Sequence, residues 1–206
     1  MNDVARSWGS SPGKIGAIQM RDLLRRLHGA LPSIRQWIDD LHAEHSSAAI
    51  AAGELGFPRL AASFPAALLD RAQAVTVARI PFPPVSNYGL PEFEAFARMP
   101  MAGITFDRMY FVHQSHVSEA IHFHELVHVI QWQTLGVNNF LLTYAMGLAA
   151  FGYDLSPLES IAFRMQSEFE QGRVRPDLLE LVSAEARLAR QSAAECFRAN
   201  GVTFGR

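Results

Sequence analysis

Apolar residues recur at helical spacing in the first part of the chain, in two stripes. The first stripe stops at Gly29 and the second begins after Pro32. The apolar residues of the two stripes are Met20, Leu23, Leu24, Leu27, Ile34, Trp37, Ile38 and Leu41. Because Gly and Pro disfavour the interior of a helix, the pattern predicts an amphipathic helical hairpin over residues 17–45. Residues 1–16 contain Gly and Ser without apolar periodicity, and they predict a flexible lead-in.

The pattern changes in the middle of the chain to short runs that are typical of turns and strands. Residues 46–72 are alanine-rich and contain several Gly and Pro, which predicts short helices joined by turns. Residues 74–80 have the composition of a strand that ends at Pro81. Residues 103–106 and 109–112 are also β-prone, and only two residues separate them. They predict one hairpin or one bent strand.

The second half of the chain predicts longer helices. One begins near Ser118-Glu119 and ends at Gly136, and it is apolar on nearly every side, as buried helices are. Another opens at Ser156-Pro157, after an apolar helical segment at 140–150. Together these segments predict an α+β fold that is predominantly helical, with a small β-sheet or hairpin before the buried helix. We expect a single domain over residues 17–206.

Composition excludes several classes of protein. A chain of 206 residues with a net charge of −2 has no basic field for nucleic acid. The single Cys196 excludes an internal disulfide and is typical of a reducing compartment. No secretory signal is visible, and the apolar stretch from Phe140 to Phe151 is shorter than the roughly 20 residues that span a bilayer. We therefore expect a cytoplasmic protein without a transmembrane segment; export without an N-terminal signal stays open.

The predicted buried helix contains the sequence His124-Glu125-Leu126-Val127-His128, an H-E-x-x-H motif. Two histidines four residues apart lie one above the other on one face of a helix, so their imidazoles can converge on one Zn²⁺. Glu125 then projects beside the metal, where it can accept a proton from water. Burying these three groups without partners would be costly, and a metal removes that cost. The alternative is a pair of core histidines beside a buried ion pair.

A catalytic zinc site needs a third protein ligand. The position six residues after His128, where one metallopeptidase pattern has a further His, is Thr134. Glu159, at the start of the later helix, is a candidate because one intervening helix can turn the chain back. However, Ser156-Pro157-Leu158-Glu159 also fits a capping box, in which Glu159 bonds the backbone N–H of Ser156. Spacing alone favours neither interpretation. The other candidates for the third ligand are Asp154, Glu168, His113 and His116.

Two stretches of the chain carry a family resemblance. The first is Phe123–Gln131, and the second is Gly152–Ala162, which contains Tyr-x-x-x-Pro-x-Glu-x-x-Ala. They resemble small bacterial zincin-type metallopeptidases of the gluzincin kind, in several of which Tyr-x-x-Asn-Pro-x-Glu-x-x-Ala follows the H-E-x-x-H helix. Ser156 stands here in place of the Asn. The resemblance covers about residues 74–170 and does not reach the predicted hairpin.

The resemblance implies a zincin-like fold and a set of site residues. Carried over by position, His124 and His128 bind zinc, Glu159 completes the site, and Glu125 is the catalytic base. The strand that lies along the substrate cleft in zincins corresponds to the β-prone segment at 103–112, which can equally be an ordinary sheet strand.

Neighbouring residues have candidate roles from their positions alone. Gln131 follows His128 by about one turn, and it can hydrogen-bond a ligand carboxylate or pack near the metal. Tyr153 can donate a hydrogen bond to a developing oxyanion, or simply anchor the turn before the next helix. His113 and His116 precede the motif helix in a loop and can reach the cleft, although loop histidines are usually solvated. His122 points to another side of the helix and is not expected to be a ligand.

These observations lead us to expect a zinc-dependent hydrolase, a metallopeptidase that acts on a peptide or protein substrate. Glu125 would accept a proton from water and return it to the leaving amine. One alternative is a zinc-stabilised binding or interaction protein without turnover. Another is an inactive precursor in which residues 1–45 cover the site. A catalytic site has a coordination position open to water, whereas a structural site closes it with a fourth side chain. A comparison of full-length and truncated protein separates the precursor from the binding protein.

Overall fold

The computed structural model describes residues 17–173 and 175–204, so the predicted lead-in at 1–16 lies outside the described residues. The α-helices are α1 (Ala17–His45), α2 (Pro58–Ser63), α3 (Ala66–Leu69), α4 (Glu94–Ala97), α5 (Glu119–Leu135), α6 (Val137–Phe151), α7 (Pro157–Glu170) and α8 (Leu178–Ala199). The strands are β1 (Ile50–Ala51), β2 (Gln73–Val77), β3 (Gly103–Phe106) and β4 (Met109–His113). Short 3-10 turns occupy Ala52–Glu54, Val85–Tyr88 and Pro91–Phe93. The fold is therefore α+β and predominantly helical, as the sequence predicts.

The strands form one mixed sheet of four strands in the order β1-β2-β4-β3. β2 runs parallel to β4, whereas β1 and β3 are antiparallel to their neighbours. The predicted hairpin is confirmed: β3 pairs with β4, with Ile104 opposite Phe111, and Asp107 in the connecting turn has the left-handed φ of 56° that a tight hairpin turn requires. This arrangement leaves β3 at one edge of the sheet, in contact with α5, the helix that carries the histidine motif.

The predicted helical hairpin at 17–45 is wrong, because α1 is one continuous helix with Pro32 inside it. Its buried residues form a single stripe without a change of phase: Leu23, Leu24, Leu27, Leu31, Ile34, Ile38 and Leu41. Gly and Pro inside a helix cost about 1 and about 3 kcal/mol. Each buried leucine or isoleucine contributes about 1.5–3 kcal/mol, so the stripe as a whole outweighs both. The sequence interpretation weighed Gly29 and Pro32 and overlooked the continuity of the stripe across them.

Helix α5 is surrounded by other elements: it packs against the helices α6, α7 and α8 and against the strands β3 and β4. Its predicted limits are confirmed. Ser118 caps the first turn by accepting the backbone N–H of Ile121 at 3.3 Å, and Gly136 ends the helix with a φ of 72°. Because neighbours surround α5, polar side chains along it are withdrawn from water and need partners inside the protein. Within the described ranges, no helix has both the length and the apolar character that crossing a membrane requires.

Candidate metal centre

Three potential metal ligands meet between α5 and α7. His124 and His128 project from one face of α5, and their Nε2 atoms are 3.1 Å apart. Glu159, in the first turn of α7, places Oε2 at 3.4 Å from Nε2 of His124 and Oε1 at 3.4 Å from Nε2 of His128. All three residues are buried, with exposed fractions of 5%, 5% and 2%. They form a group of the kind that can hold a metal ion.

The spacing and the bonding of this group fit a metal. Ligand atoms at about 2.0–2.1 Å from a tetrahedral zinc lie about 3.3–3.4 Å from one another. The observed separations of 3.1, 3.4 and 3.4 Å are close to these values. In addition, Oε2 of Glu159 is buried without a hydrogen-bond partner among the described residues. A buried carboxylate oxygen without a donor is costly, and a cation would remove that cost.

The capping-box interpretation of Glu159 is wrong. The backbone N–H of Ser156 bonds the carbonyl of Tyr153 at 3.1 Å, and the Ser156 side chain forms no cap hydrogen bond. Instead, Oε1 of Glu159 accepts a hydrogen bond from the Tyr144 hydroxyl at 2.5 Å. Helix α6 packs closely against the start of α7 at Gly147. A Cβ on Gly147 would lie only 2.5 Å from Oγ of Ser156. The approach of α6 to the start of α7 thus favours the inward orientation of Glu159.

Each histidine is oriented by a glutamine oxygen on its other ring nitrogen. Nδ1 of His128 is 2.8 Å from Oε1 of Gln131, and Nδ1 of His124 is 3.0 Å from Oε1 of Gln166. An amide oxygen only accepts, so each Nδ1 carries a hydrogen, and in the neutral imidazole each Nε2 presents its lone pair to the centre. Metal-bound histidines usually have such a partner. Gln131 is therefore a support for His128 and not for a ligand carboxylate.

Gln166 is a supporting residue that sequence reasoning missed. It lies two turns after Glu159 on α7, and residues at this spacing share one face of a helix. That spacing was the available signal. Its Nε2 donates to Oε1 of Glu170 at 2.9 Å, so the amide is anchored at both ends.

The burial and charge of the three ligands favour an ionised carboxylate facing two imidazoles. Burial acts to raise the pKa of Glu159, but the two histidines hold it well below its usual range. Burial acts to lower the pKa of His128, but Glu159 outweighs it and raises the pKa to about 9. The ionised carboxylate therefore favours a cation at the centre. Two imidazole nitrogens and one carboxylate oxygen are a set of donors that zinc and related divalent metals accept.

Glu125 lies beside the three ligands and is held by strand β3. It is buried, and Oγ1 of Thr105 donates a hydrogen bond to its Oε2 at 2.6 Å. Burial raises the pKa of the Glu125 carboxyl, and the nearby histidines and Thr105 only partly offset this. A Cβ on Gly103 would lie 2.5 Å from Oε1, so the absence of a side chain there leaves room for the carboxylate. Sequence reasoning identified neither Thr105 nor Gly103.

Two tyrosines complete the polar part of the site. Tyr144 binds Glu159, and it was missed because nothing in its local sequence distinguishes it from other helix residues. Tyr153 lines the same cavity as Glu159. Burial, and next the charge of Glu159, raise the pKa of both phenols above the usual range. Both hydroxyls therefore remain protonated and able to donate. A contact of Tyr153 with a reacting group stays a prediction.

The remaining candidates for a ligand lie outside the group. His113 and His116 pack against each other with ring centres 5.5 Å apart and do not line the cavity. Asp154 is exposed, and Glu168 pairs with Arg175 at 3.2 Å. His122 is buried beside the Tyr110 hydroxyl at 3.0 Å, outside the ligand group, in agreement with the prediction. Among the described residues, the grouped ligands are thus His124, His128 and Glu159.

A cavity of about 110 Å³ connects this centre with apolar side chains. Its walls come from α1, the segment 82–101, β3, α5 and α6. The arrangement joins three potential metal ligands, a buried carboxylate of raised pKa and a cavity in which a small group can lie.

Comparisons of this chain with protein-family models, with curated proteins and with solved structures found no match.

Proposed function

We propose that this protein is a zinc-dependent hydrolase, a metallopeptidase whose metal is held by His124, His128 and Glu159. The observation that carries the proposal is Glu125, a buried carboxylate of raised pKa beside the ligands and in the wall of the cavity. A site that binds metal only for structure has no need of a fourth buried group that can exchange protons.

The number of ligands also supports a catalytic site. Structural zinc sites are closed by four protein ligands, whereas catalytic sites have three and an open position. Within the described residues the group has three members, and the cavity adjoins them. This favours the enzyme over a zinc-stabilised binding protein.

The roles of the residues follow from their positions. When bound, zinc would acidify a water molecule and polarise a substrate carbonyl. Glu125 would accept a proton from the attacking water and later give it to the leaving amine, a role that suits a carboxyl of raised pKa. Thr105 restrains this carboxylate through one oxygen. Tyr153 remains protonated and donates a hydrogen bond to the oxygen that gains charge.

Strand β3 is the element on which an extended peptide would pair. It is one of the two edge strands of the described sheet and lines the cavity with residues 103–106. At its far end, His42 of α1 approaches the Phe106 carbonyl with Nε2 at 2.9 Å. Helix α1 therefore limits how far a peptide could extend along β3 in that direction.

The substitution Glu125→Gln tests the proposal. It keeps the size and burial of the side chain and removes the proton acceptor, so we expect zinc content to remain and kcat for peptide hydrolysis to fall about 10²–10⁴-fold. Glu119→Gln, on the same helix and paired with Arg59 at the surface, is the matched control and should retain activity. Unchanged kcat in Glu125→Gln would contradict the mechanism. A zinc-loaded wild-type protein that cleaves nothing in a broad peptide mixture would contradict the hydrolase.

A further inference from the structure

The cavity beside the metal centre has two chemically different kinds of wall. One consists of the polar groups of the centre. The other, which we call the apolar end, is formed by Leu27, Leu31 and Ile34 of α1, by aromatic and proline residues of the segment 82–93, and by Leu141 and Ala145 of α6. A substrate whose reacting group lies at the centre would have its neighbouring part against these apolar walls.

The apolar end lacks groups that could accept a charge. Every polar side chain that lines the cavity belongs to the centre: the two histidines, Glu125, Glu159, Thr105 and the two tyrosines. The indole N–H of Trp132 is already bonded to the Thr105 carbonyl at 3.2 Å. No arginine or lysine of the described chain lines the cavity.

The cations next to the lining residues of α1 have other partners. Arg26 precedes the lining residue Leu27, but its guanidinium donates to the Gly89 carbonyl at 2.6 Å and pairs with Glu92. Arg35 follows the lining residue Ile34, and its guanidinium donates to Oδ1 of Asn138 at 3.3 Å. A carboxylate in the apolar end would therefore lose its hydration without gaining a partner. An ammonium group would pay the same desolvation cost wherever it is out of reach of the Glu125 and Glu159 carboxylates. An uncharged apolar group would gain by leaving water.

We infer that the apolar end is a specificity pocket for one uncharged aliphatic or aromatic group of the substrate, and that substrates with a charged group at this position are rejected. The size of the cavity supports a single side chain: its whole volume, which includes the space beside the centre, is about 110 Å³ and is of the same order as an engineered apolar cavity of about 150 Å³ that binds benzene. The inference rests on the proposed function for the identity of the reacting group, but the pocket itself can be tested without turnover.

Three hydroxamic acids measure the pocket on the zinc-loaded full-length protein. Acetohydroxamic acid has no group to fill it, isocaproyl hydroxamic acid adds a leucine-like branch, and succinyl monohydroxamic acid ends in a carboxylate. All three chelate metal through the same atoms, so differences in Kd report the pocket. We expect the isocaproyl compound to bind about tenfold or more tightly than the acetyl compound, in the range that apolar pockets discriminate. The succinyl compound should bind no better than the acetyl one.

A filling substitution and its control locate the effect. Ala145→Phe should abolish the advantage of the isocaproyl compound while acetohydroxamic acid still binds. Ala149→Phe, one turn further along α6 and outside the cavity lining, should leave the advantage intact. If Ala145→Phe does not fold, Ile34→Ala gives the opposite test, because a larger pocket should shift the preference toward a phenylpropionyl hydroxamic acid.

A further measurement separates this inference from the proposed function. Benzene needs no metal, and ligand-observed NMR should detect its binding to the metal-free protein but not to Ala145→Phe. Selective binding of the apolar probes without any peptide hydrolysis would overturn the proposed peptidase and leave the pocket standing. The opposite outcome is equal hydrolysis of peptides with leucine and with aspartate beside the cleaved bond, together with equal affinities for the hydroxamates. That outcome would overturn the pocket and leave the peptidase standing.

Discussion

The two histidines of the centre face the same point but are supported by different parts of the molecule. His128 is oriented by Gln131, three residues further along the same helix, and that amide is fully buried and donates to the Leu158 carbonyl at 2.9 Å. His124 is as buried as His128, but it is oriented by Gln166 from another helix, whose side chain is half-buried, and it packs against Phe163, which is 39% exposed. The support of His128 is therefore embedded in the core, and the support of His124 lies at the border with solvent. The difference predicts which supporting contact contributes more to zinc affinity and stability and which contributes less.

The largest effect should come from the proposed ligand that both halves share, Glu159. Glu159→Ala removes the carboxylate that faces both histidines, so we expect zinc affinity to fall by more than the roughly 100-fold that loss of a supporting residue can cause. The measurement is competition with a chromophoric chelator. Glu168→Ala, on the same helix but paired with Arg175, is the control and should bind zinc normally. Equal affinities in the two variants would mean that Glu159 is not a ligand.

A smaller effect should follow in the embedded half. Gln131→Leu removes the acceptor for His128 and leaves the buried Leu158 carbonyl without its donor. We expect zinc affinity to fall toward 100-fold, roughly the upper limit for a supporting residue, and the free energy of unfolding to fall by about 1–3 kcal/mol. Chelator competition and denaturant unfolding of the metal-free protein measure the two. Gln133→Leu, an exposed position on the same helix, should change neither.

The smallest effect is expected at the border. Gln166→Leu removes the acceptor for His124, but water can replace it because the position is only partly buried. We expect zinc affinity to fall about tenfold, the lower limit for a supporting residue, with no measurable change in stability. If Gln166→Leu lowers zinc affinity and the free energy of unfolding as much as Gln131→Leu does, the proposed difference between the two halves does not exist.

Local patterns predicted the parts of the protein whose structure depends on neighbouring residues. Helix α5 was predictable in its limits because Ser118 and Gly136 stop it chemically at both ends. The β3–β4 hairpin was predictable because two β-prone runs are separated by two turn residues. Helix α1 was not, since Gly29 and Pro32 weaken a helix locally while a stripe of buried residues stabilises it through contacts with distant segments.

The position of Glu159 shows the same limit within the site. Ser156-Pro157-Leu158-Glu159 is compatible with a cap and with an inward carboxylate, and the two differ only in which partner the side chain reaches. Packing of α6 against the start of α7, with Gly147 next to Ser156 and Tyr144 next to Glu159, favours the second. No local pattern contains that information.

The sequence by itself determined that two histidines and a glutamate share a buried helix, because helical spacing and apolar surroundings are properties of adjacent residues. It also determined the α+β class. Only the tertiary structure decided that Glu159 joins the histidines, that Thr105, Tyr144 and Gln166 hold the site in place, and that α1 forms a wall of the cavity. These contacts join residues far apart in the chain, and they form because burying apolar surface brings α1, β3, α6 and α7 together around α5.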